Sequence, residues 1–170
     1  VVASLMVEDK KAWQDLVKKC TDAGADGLEL NFGCPHGMCE HGMGSAVGQE
    51  PAVIQEITSW VKEVAKIPVI VKLTPNITNI TYPGEVAVKA GANGLAVINT
   101  IKSIANLDLD TYTAEPRVGK KFTSGGFSGA AVKPIALHML TQLAIDPKIG
   151  VPITGMGGIM DWYDAAQFIA

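Results

Sequence analysis

Residues 31–44 read NFGCPHGMCEHGMG, the most unusual stretch of this 170-residue chain. Cys34, His36, Cys39, Glu40 and His41 can each hold or move a proton, and the Asn31 amide can donate and accept at once. Glycines at 33, 37, 42 and 44 and Pro35 make it a long irregular segment directly after an apolar strand, a setting more typical of binding loops than of plain connections. Pro35 confines Cys34 to extended backbone, which fixes the distance of the thiol from the strand end. An isolated cysteine is more often an inert buried thiol. Its place in a loop at a strand's C-terminal end favours the reactive reading, because a thiol titrating at about 8.5 can act as acid or base close to neutrality. Cys20, on an apolar helix face, and Cys39, deeper in the loop, read as structural, and His36 and His41 as solvated loop residues. Cys34, His36, Cys39 and His41 also crowd four zinc-type ligands together. Structural zinc draws its ligands from well-separated segments, so no metal site is assigned.

Four further places carry chemistry. Lys72 ends the apolar strand IPVIVK and either snorkels to solvent or meets an anion at the sheet edge. Asn99 and Thr100 end LAVINT and either form a turn or offer donors and acceptors to a ring carrying amide groups. TGMGGIMDW exposes backbone N–H groups at Gly157 and Gly158 ahead of a helix capped by Asp161, and SGGFSGAAVKP is a second glycine-rich loop running into a helix. Two such loops on one face suit the phosphate of a nucleotide or flavin.

The elements that position these residues alternate. Short apolar strands are predicted at 1–6, 27–32, 68–73, 94–99 and 151–154. Helices are predicted at 10–23, 51–65, 83–90, 133–144 and 161–170, the first with Trp13, Leu16, Val17 and Cys20 on one face. AGADGLEL from Ala23 returns as AGANGLAV from Ala90, a repeated helix-to-strand joint. Strand then helix, five times, predicts a parallel α/β sheet. Each strand turns polar at its C-terminal end: Asn31, Lys72, Asn99 with Thr100, and the 155–158 turn. Both (β/α)8 barrels and open α/β sheets bind ligands at that end. A doubly wound sheet fits this length, whereas a barrel takes about 250 residues. The chain opens inside a strand and ends on a helix, so the expectation is residues 1–170 as a partial TIM-barrel domain, covering about strands 3 to 7, without the first two strands and the last.

Composition narrows the classes. With 48% hydrophobic and 18% charged residues the chain reads as a globular protein. A net charge of −3 and no basic stripe speak against nucleic acid, and no apolar run reaches bilayer length. Three cysteines suit a reducing, cytoplasmic setting better than a disulfide scaffold.

In this order NFGCPHGM, VKLTPN, VINT, SGGFSGAAVKP and GMGGI resemble the FMN domain shared by dihydropyrimidine dehydrogenases and class 1 dihydroorotate dehydrogenases, over essentially the whole chain. CPHGM followed by GMGSAVGQEP resembles the dihydropyrimidine branch, in particular its bacterial NAD-dependent catalytic subunit, more than the CPN-type loop of dihydroorotate enzymes. The resemblance implies a (β/α)8 TIM barrel and a flavin-dependent reduction of uracil or thymine. Cys34 becomes the general acid for C5 of a pyrimidine whose C6 takes hydride from reduced FMN. It places Asn31, Phe32, Gly33, Asn99 and Thr100 at the substrate, and Lys72, Gly129, Met156 (through its backbone), Gly157 and Gly158 at FMN. Gly33 departs from the mammalian motif, which has serine there, and so lacks a hydroxyl contact. The resemblance further implies iron–sulfur clusters outside this segment, NAD reached through a separate flavin-containing electron-input subunit, and an oligomer. The isolated segment is expected to bind FMN weakly or not at all and to be inactive. Alternatives from the same residues are dihydroorotate oxidation, a non-enzymatic metal- or phosphate-binding module, and an aldolase-like barrel using Lys72 as a Schiff base.

Overall fold

The computed structural model describes residues 1–35, 43–119 and 121–170. Along the chain, β1 (Val2–Leu5), β2 (Gly27–Asn31), β3 (Val69–Lys72) and β4 (Gly94–Val97) alternate with α1 (Lys10–Asp22), the short α2 (Ser45–Gly48), α3 (Pro51–Lys62) and α4 (Thr81–Lys89). Six short strands follow: β5 (Ile101–Ser103), β6 (Asn106–Asp108), β7 (Thr113–Glu115), β8 (Arg117–Val118), β9 (Lys121–Phe122) and β10 (Gly125–Phe127). Then α5 (Lys133–Ala144), β11 (Ile153–Gly155) and α6 (Trp162–Ile169) resume the alternation.

Strands β1, β2, β3, β4 and β11 form one parallel sheet in that spatial order. Every strand joins beside its predecessor, with no reversal. A doubly wound sheet reverses at a switch point. Right-handed crossovers that always step the same way put all helices on one face, and α1 packs on α3, α3 on α4, and α4 on α5. The fold is therefore α/β with the one-way winding of a (β/α)8 barrel wall, open between β1 and β11 among the described residues.

Register assigns each face its residues, since laterally paired residues point the same way. Leu5, Leu30, Val71, Leu95 and Ile153 make one row toward the helices, and Ala3, Leu28 and Val69 another. Leu28, Leu30, Val69, Val71 and Leu95 are fully buried there against Val17, Ile54 and Val61. The opposite face carries Ser4, Glu29, Asn31, Ile70, Lys72, Gly94, Ala96 and Thr154, small or polar with the exception of Ile70.

Local chemistry explains the joints. Asp9 caps α1 by accepting from the Ala12 N–H at 2.9 Å. The repeated joint is structural as well as sequential: Gly24 and Gly91 both take positive φ, 87° and 102°, directly after α1 and α4. At the second joint Asn93 Oδ1 then accepts from Val69 N–H at 3.0 Å and Lys62 Nζ at 2.9 Å, fixing α4, β3 and α3 together.

Two expectations need correction. Helix α4 starts at Thr81, two residues before Pro83, so the proline sits inside the first turn, where its missing N–H costs nothing. Residues 124–134 are not one loop: Gly125–Phe127 is β10, antiparallel to β5, and the chain between them folds into the ribbons β6·β7 and β8·β9. Strands of two or three residues show no readable alternation.

Candidate functional site

Because the sheet is parallel, the polar ends of β2, β3, β4 and β11 come out along one edge, with the β5·β10 ribbon above them. Asn31 and Lys72, the last residues of β2 and β3, are paired in register. Asn31 Oδ1 accepts from Asn99 Nδ2 at 2.8 Å and from Gly33 N–H at 3.2 Å, while Asn99 Oδ1 accepts from Thr100 N–H at 2.8 Å. Backbone N–H groups can only donate, so both amide orientations are fixed by chemistry. Among the described residues no hydrogen bond engages Asn31 Nδ2.

Asn99 and Thr100 each stand against a glycine. A Cβ on Gly33 would lie 2.4 Å from Asn99 Cβ, and one on Gly126 would lie 2.2 Å from Thr100 Oγ1. Thr100 is also held from behind. Asn76 Nδ2 donates to Thr100 O at 3.1 Å and to Thr74 Oγ1 at 3.1 Å, and Asn76 Oδ1 accepts from Lys102 N–H at 2.8 Å. One side chain thus latches the segment after β4 to the segment after β3. Asn76 had no assigned role in VKLTPN, although a polar residue after Pro75 in a strand-end segment is a signal for one.

Lys72 does not escape freely to solvent. Its ammonium lies 3.5 Å from Glu29 Oε1, which also accepts from Ser4 Oγ at 3.0 Å, and both charged side chains are mostly buried, at 21% and 16% exposure. Glu29 was missed. The alternation Leu28, Glu29, Leu30 was its signal, since a carboxylate between two core leucines must face the other side of the sheet.

Cys34 is half-buried and is a thiol, not half of a disulfide. Its carbonyl accepts from Ser45 N–H at 2.9 Å, at the start of α2. A Cβ on Gly44 would come 2.6 Å from that oxygen, so the returning chain closes directly on the cysteine. His36, Cys39 and His41, the other members of the zinc-type cluster, lie outside the described residues; among the described residues no group of three or more such ligands gathers. Phe32 reaches this region through its main chain only. Its ring is fully buried and meets Trp13 edge-on at 6.1 Å, and its N–H donates to Leu30 O and Lys72 O, both at 3.1 Å.

Gly129, Gly157 and Gly158 converge at the start of α5. A Cβ on Gly158 would meet Lys133 N at 2.8 Å and Gly129 O at 2.9 Å, and one on Gly157 would meet Ala136 Cβ at 3.0 Å. The turn therefore lies flush on the helix N-terminus, where backbone N–H groups favour an anion. Met156 is more constrained. Its N–H donates to Val97 O at 2.6 Å and its carbonyl accepts from Ile98 N–H at 3.0 Å, so only one carbonyl lone pair stays available to a ligand. A clamp unread in the sequence secures the turn. Lys133 Nζ contacts Asp164 Oδ1 and, at 2.8 Å, Gln167 Oε1, while Asp164 Oδ2 accepts from Met160 N–H at 2.9 Å. The Lys133 hydrogen bond, and then the Met160 N–H, hold the Asp164 carboxyl below its usual range. Asp161 caps α6 by accepting from Asp164 N–H at 2.9 Å.

The chain is similar to known proteins along nearly its whole length. The family model described as dihydroorotate dehydrogenase matches residues 2–170. The chain is 44% identical over 174 residues to a chloroplastic NADP(+) dihydropyrimidine dehydrogenase of Arabidopsis thaliana, covering 99% of this chain and 41% of that protein. It is 42% identical over 170 residues to the NAD-dependent dihydropyrimidine dehydrogenase subunit PreA of Escherichia coli K12, again covering 99% and 41%. It is 43% identical over 172 residues to the catalytic subunit of NAD(+) dihydroorotate dehydrogenase B of Alkaliphilus metalliredigens, covering 99% and 51%. The chain thus spans about half or less of the length of these relatives.

Proposed function

The chain belongs to the dihydroorotate dehydrogenase family, and from that premise we propose that it is the catalytic segment of a flavin-dependent dihydropyrimidine dehydrogenase reducing uracil or thymine to the 5,6-dihydropyrimidine. The observation that carries this reading is the gathering along one sheet edge of a half-buried thiol, Cys34, and an amide pair, Asn31 and Asn99, whose oxygens are both engaged. A pyrimidine dione presents carbonyl oxygens that amide N–H donors match.

The residues fit FMN. The turn at Gly157 and Gly158, flush on the start of α5 with Gly129 alongside, would hold its phosphate through the turn's own backbone, and Lys72 at the end of β3 would supply a cation for the ring. The chemistry FMN would supply there is hydride transfer to C6 of the pyrimidine. Cys34 does the remaining chemistry: its Sγ–H gives the proton to C5, and in reverse the thiolate takes it back. Partial burial keeps bulk water from competing with the thiol, yet leaves it open enough to regain its proton. Asn31 orients the ring with its amide N–H. Asn99 and Thr100 fix the far side, Thr100 held in turn by Asn76.

Electrons enter, in this reading, from NAD through a separate flavin-containing subunit, with iron–sulfur clusters outside this segment and an oligomeric assembly in the cytoplasm. The names of the relatives support NAD and a partner subunit, since one is an NAD-dependent subunit and another the catalytic subunit of an NAD(+) enzyme. Among the described residues no helix is long and apolar enough to cross a membrane. Dihydroorotate oxidation is the second reading, favoured by the likeness to the Alkaliphilus protein. Turnover of the full-length protein on uracil, thymine and dihydroorotate with an artificial electron carrier decides between them. Reduction of uracil or thymine is the expected result, and activity on dihydroorotate alone overturns the first reading.

A further inference from the structure

We infer that Gly48 is a positioning residue for the proton donor: its bare backbone lets α2 seat on the strand ends and hold Cys34 by the main chain. The inference rests on the reading of Cys34 as the acid and adds what fixes that thiol in place. A Cβ at position 48 would fall 2.0 Å from Phe32 O, the shortest approach at any described glycine, and 2.9 Å from Thr74 Cγ2. Phe32 follows β2 and Thr74 follows β3, so α2 lies in a notch between two strand ends.

Both walls of the notch are anchored. Phe32 has its ring fully buried and its N–H bonded to Leu30 O and Lys72 O, both at 3.1 Å. Thr74 is buried too, and its Oγ1 accepts from Asn76 N–H at 3.2 Å and from Asn76 Nδ2 at 3.1 Å. The helix itself must therefore rise before an added carbon at 2.0 Å reaches the 3.0 Å that real side chains keep. Cys34 feels that motion directly. Ser45, the first residue of α2, donates its N–H to Cys34 O at 2.9 Å, and Gly44 before it, at φ 60°, lies so close that a Cβ there would meet the same oxygen at 2.6 Å. A rise of about 1 Å takes the Ser45 donor out of hydrogen-bond reach, and a misplacement of about that size costs an oriented reaction roughly a hundredfold. The bonds that fix Asn31 and Asn99 run to each other, to Gly33 N–H and to Thr100 N–H, and so do not depend on α2.

The test uses full-length protein with its flavin. Wild type is compared with Gly48→Ala, with Ser45→Pro, which deletes the N–H at a first helical position where proline is accepted, and with Ser45→Ala, which keeps it. Two quantities are read. One is the rate at which uracil or thymine reoxidises the reduced flavin, set against the affinity for the same pyrimidine; the other is alkylation of Cys34 by iodoacetamide, followed by peptide mass spectrometry with Cys20 of α1 as internal standard. Gly48→Ala should slow reoxidation by about 10- to 100-fold with pyrimidine affinity unchanged. It should also speed labelling of Cys34 by about threefold or more, as expected when one hydrogen bond no longer resists opening, and leave Cys20 as it was. Ser45→Pro should differ from Ser45→Ala in the same two directions, a comparison that decides the matter even if Gly48→Ala does not fold. Equal rates and equal labelling in the two serine variants overturn the inference, as does a rise in Cys20 labelling that matches the rise at Cys34. Wild-type protein reoxidised by neither pyrimidine refutes the proposed function instead, and the labelling comparison still decides whether α2 holds Cys34.

Discussion

The two faces of the same five-stranded sheet differ in nearly every respect. Toward the helices, Leu28, Leu30, Val69, Val71 and Leu95 are fully buried and interchangeable in kind. Toward the other side, Ser4, Glu29, Asn31 and Lys72 are linked by specific contacts across strands or stand at the edge where the site lies. One face is held by area removed from water, which is tolerant of detail; the other by a few directed bonds, which are not. Substitutions on the first should cost stability, and substitutions on the second and its edge should cost chemistry while the fold persists.

The largest effect that tests this division is Cys34→Ala. Full-length protein carrying it should keep its FMN and its melting temperature, yet lose pyrimidine reduction by about two to four orders of magnitude in stopped-flow reoxidation of the flavin. Near-normal turnover excludes the acid role. Leu30→Ala is the converse. It should lower unfolding free energy by about 2–5 kcal/mol in urea titration while turnover per folded molecule stays close to wild type. Gly158→Ala probes the edge. With Lys133 N and Gly129 O both within 3 Å of the added carbon, the turn lifts from α5, and purified protein should carry clearly less FMN without a matching loss of helical signal. Full FMN content would detach the turn from the phosphate.

Smaller effects sharpen the picture. Glu29→Gln leaves Lys72 without its carboxylate, so sulfite, which adds best to electron-poor flavins, should bind about fivefold more tightly. An unchanged sulfite affinity would mean that Lys72 lies away from the ring. Asp164 gives a pH signature. Its carboxyl is held below the usual range by Lys133, so its contribution is complete above the ordinary carboxylate range and is lost as pH falls through the lowered value. Asp164→Asn should therefore narrow the difference from wild type in thermal melts as the pH is taken into the acid range. A gap that stays constant with pH would show that the pair does not titrate with folding.

Much of the helix-facing side was legible because it obeys simple periods. The helix predicted at 133–144 is α5 itself, and the pattern of Trp13, Leu16, Val17 and Cys20 is the inner side of α1. The polar strand ends were legible too, since Asn31 and Lys72 interrupt apolar runs. What escaped was pairwise. Nothing in the local sequence around Asn76 says that Thr100 will lie beside it, because their meeting depends on the order of β3 and β4 in the sheet. Glu29 carried a signal in its alternation with leucines, but its partner Lys72 is 43 residues away. The ribbons between β5 and β10 escaped for another reason, being too short for any period to show.

The insert between β5 and β10 is tied at its base. Its first and last strands, β5 and β10, pair with each other, Ile101 opposite Phe127 and Ser103 opposite Gly125, so the whole excursion leaves and returns through one narrow neck. Asn76 grips the neck on one side and Gly126 admits Thr100 on the other. Lengthening or trimming the turns beyond that neck should leave the bond between Asn31 and Asn99 in place.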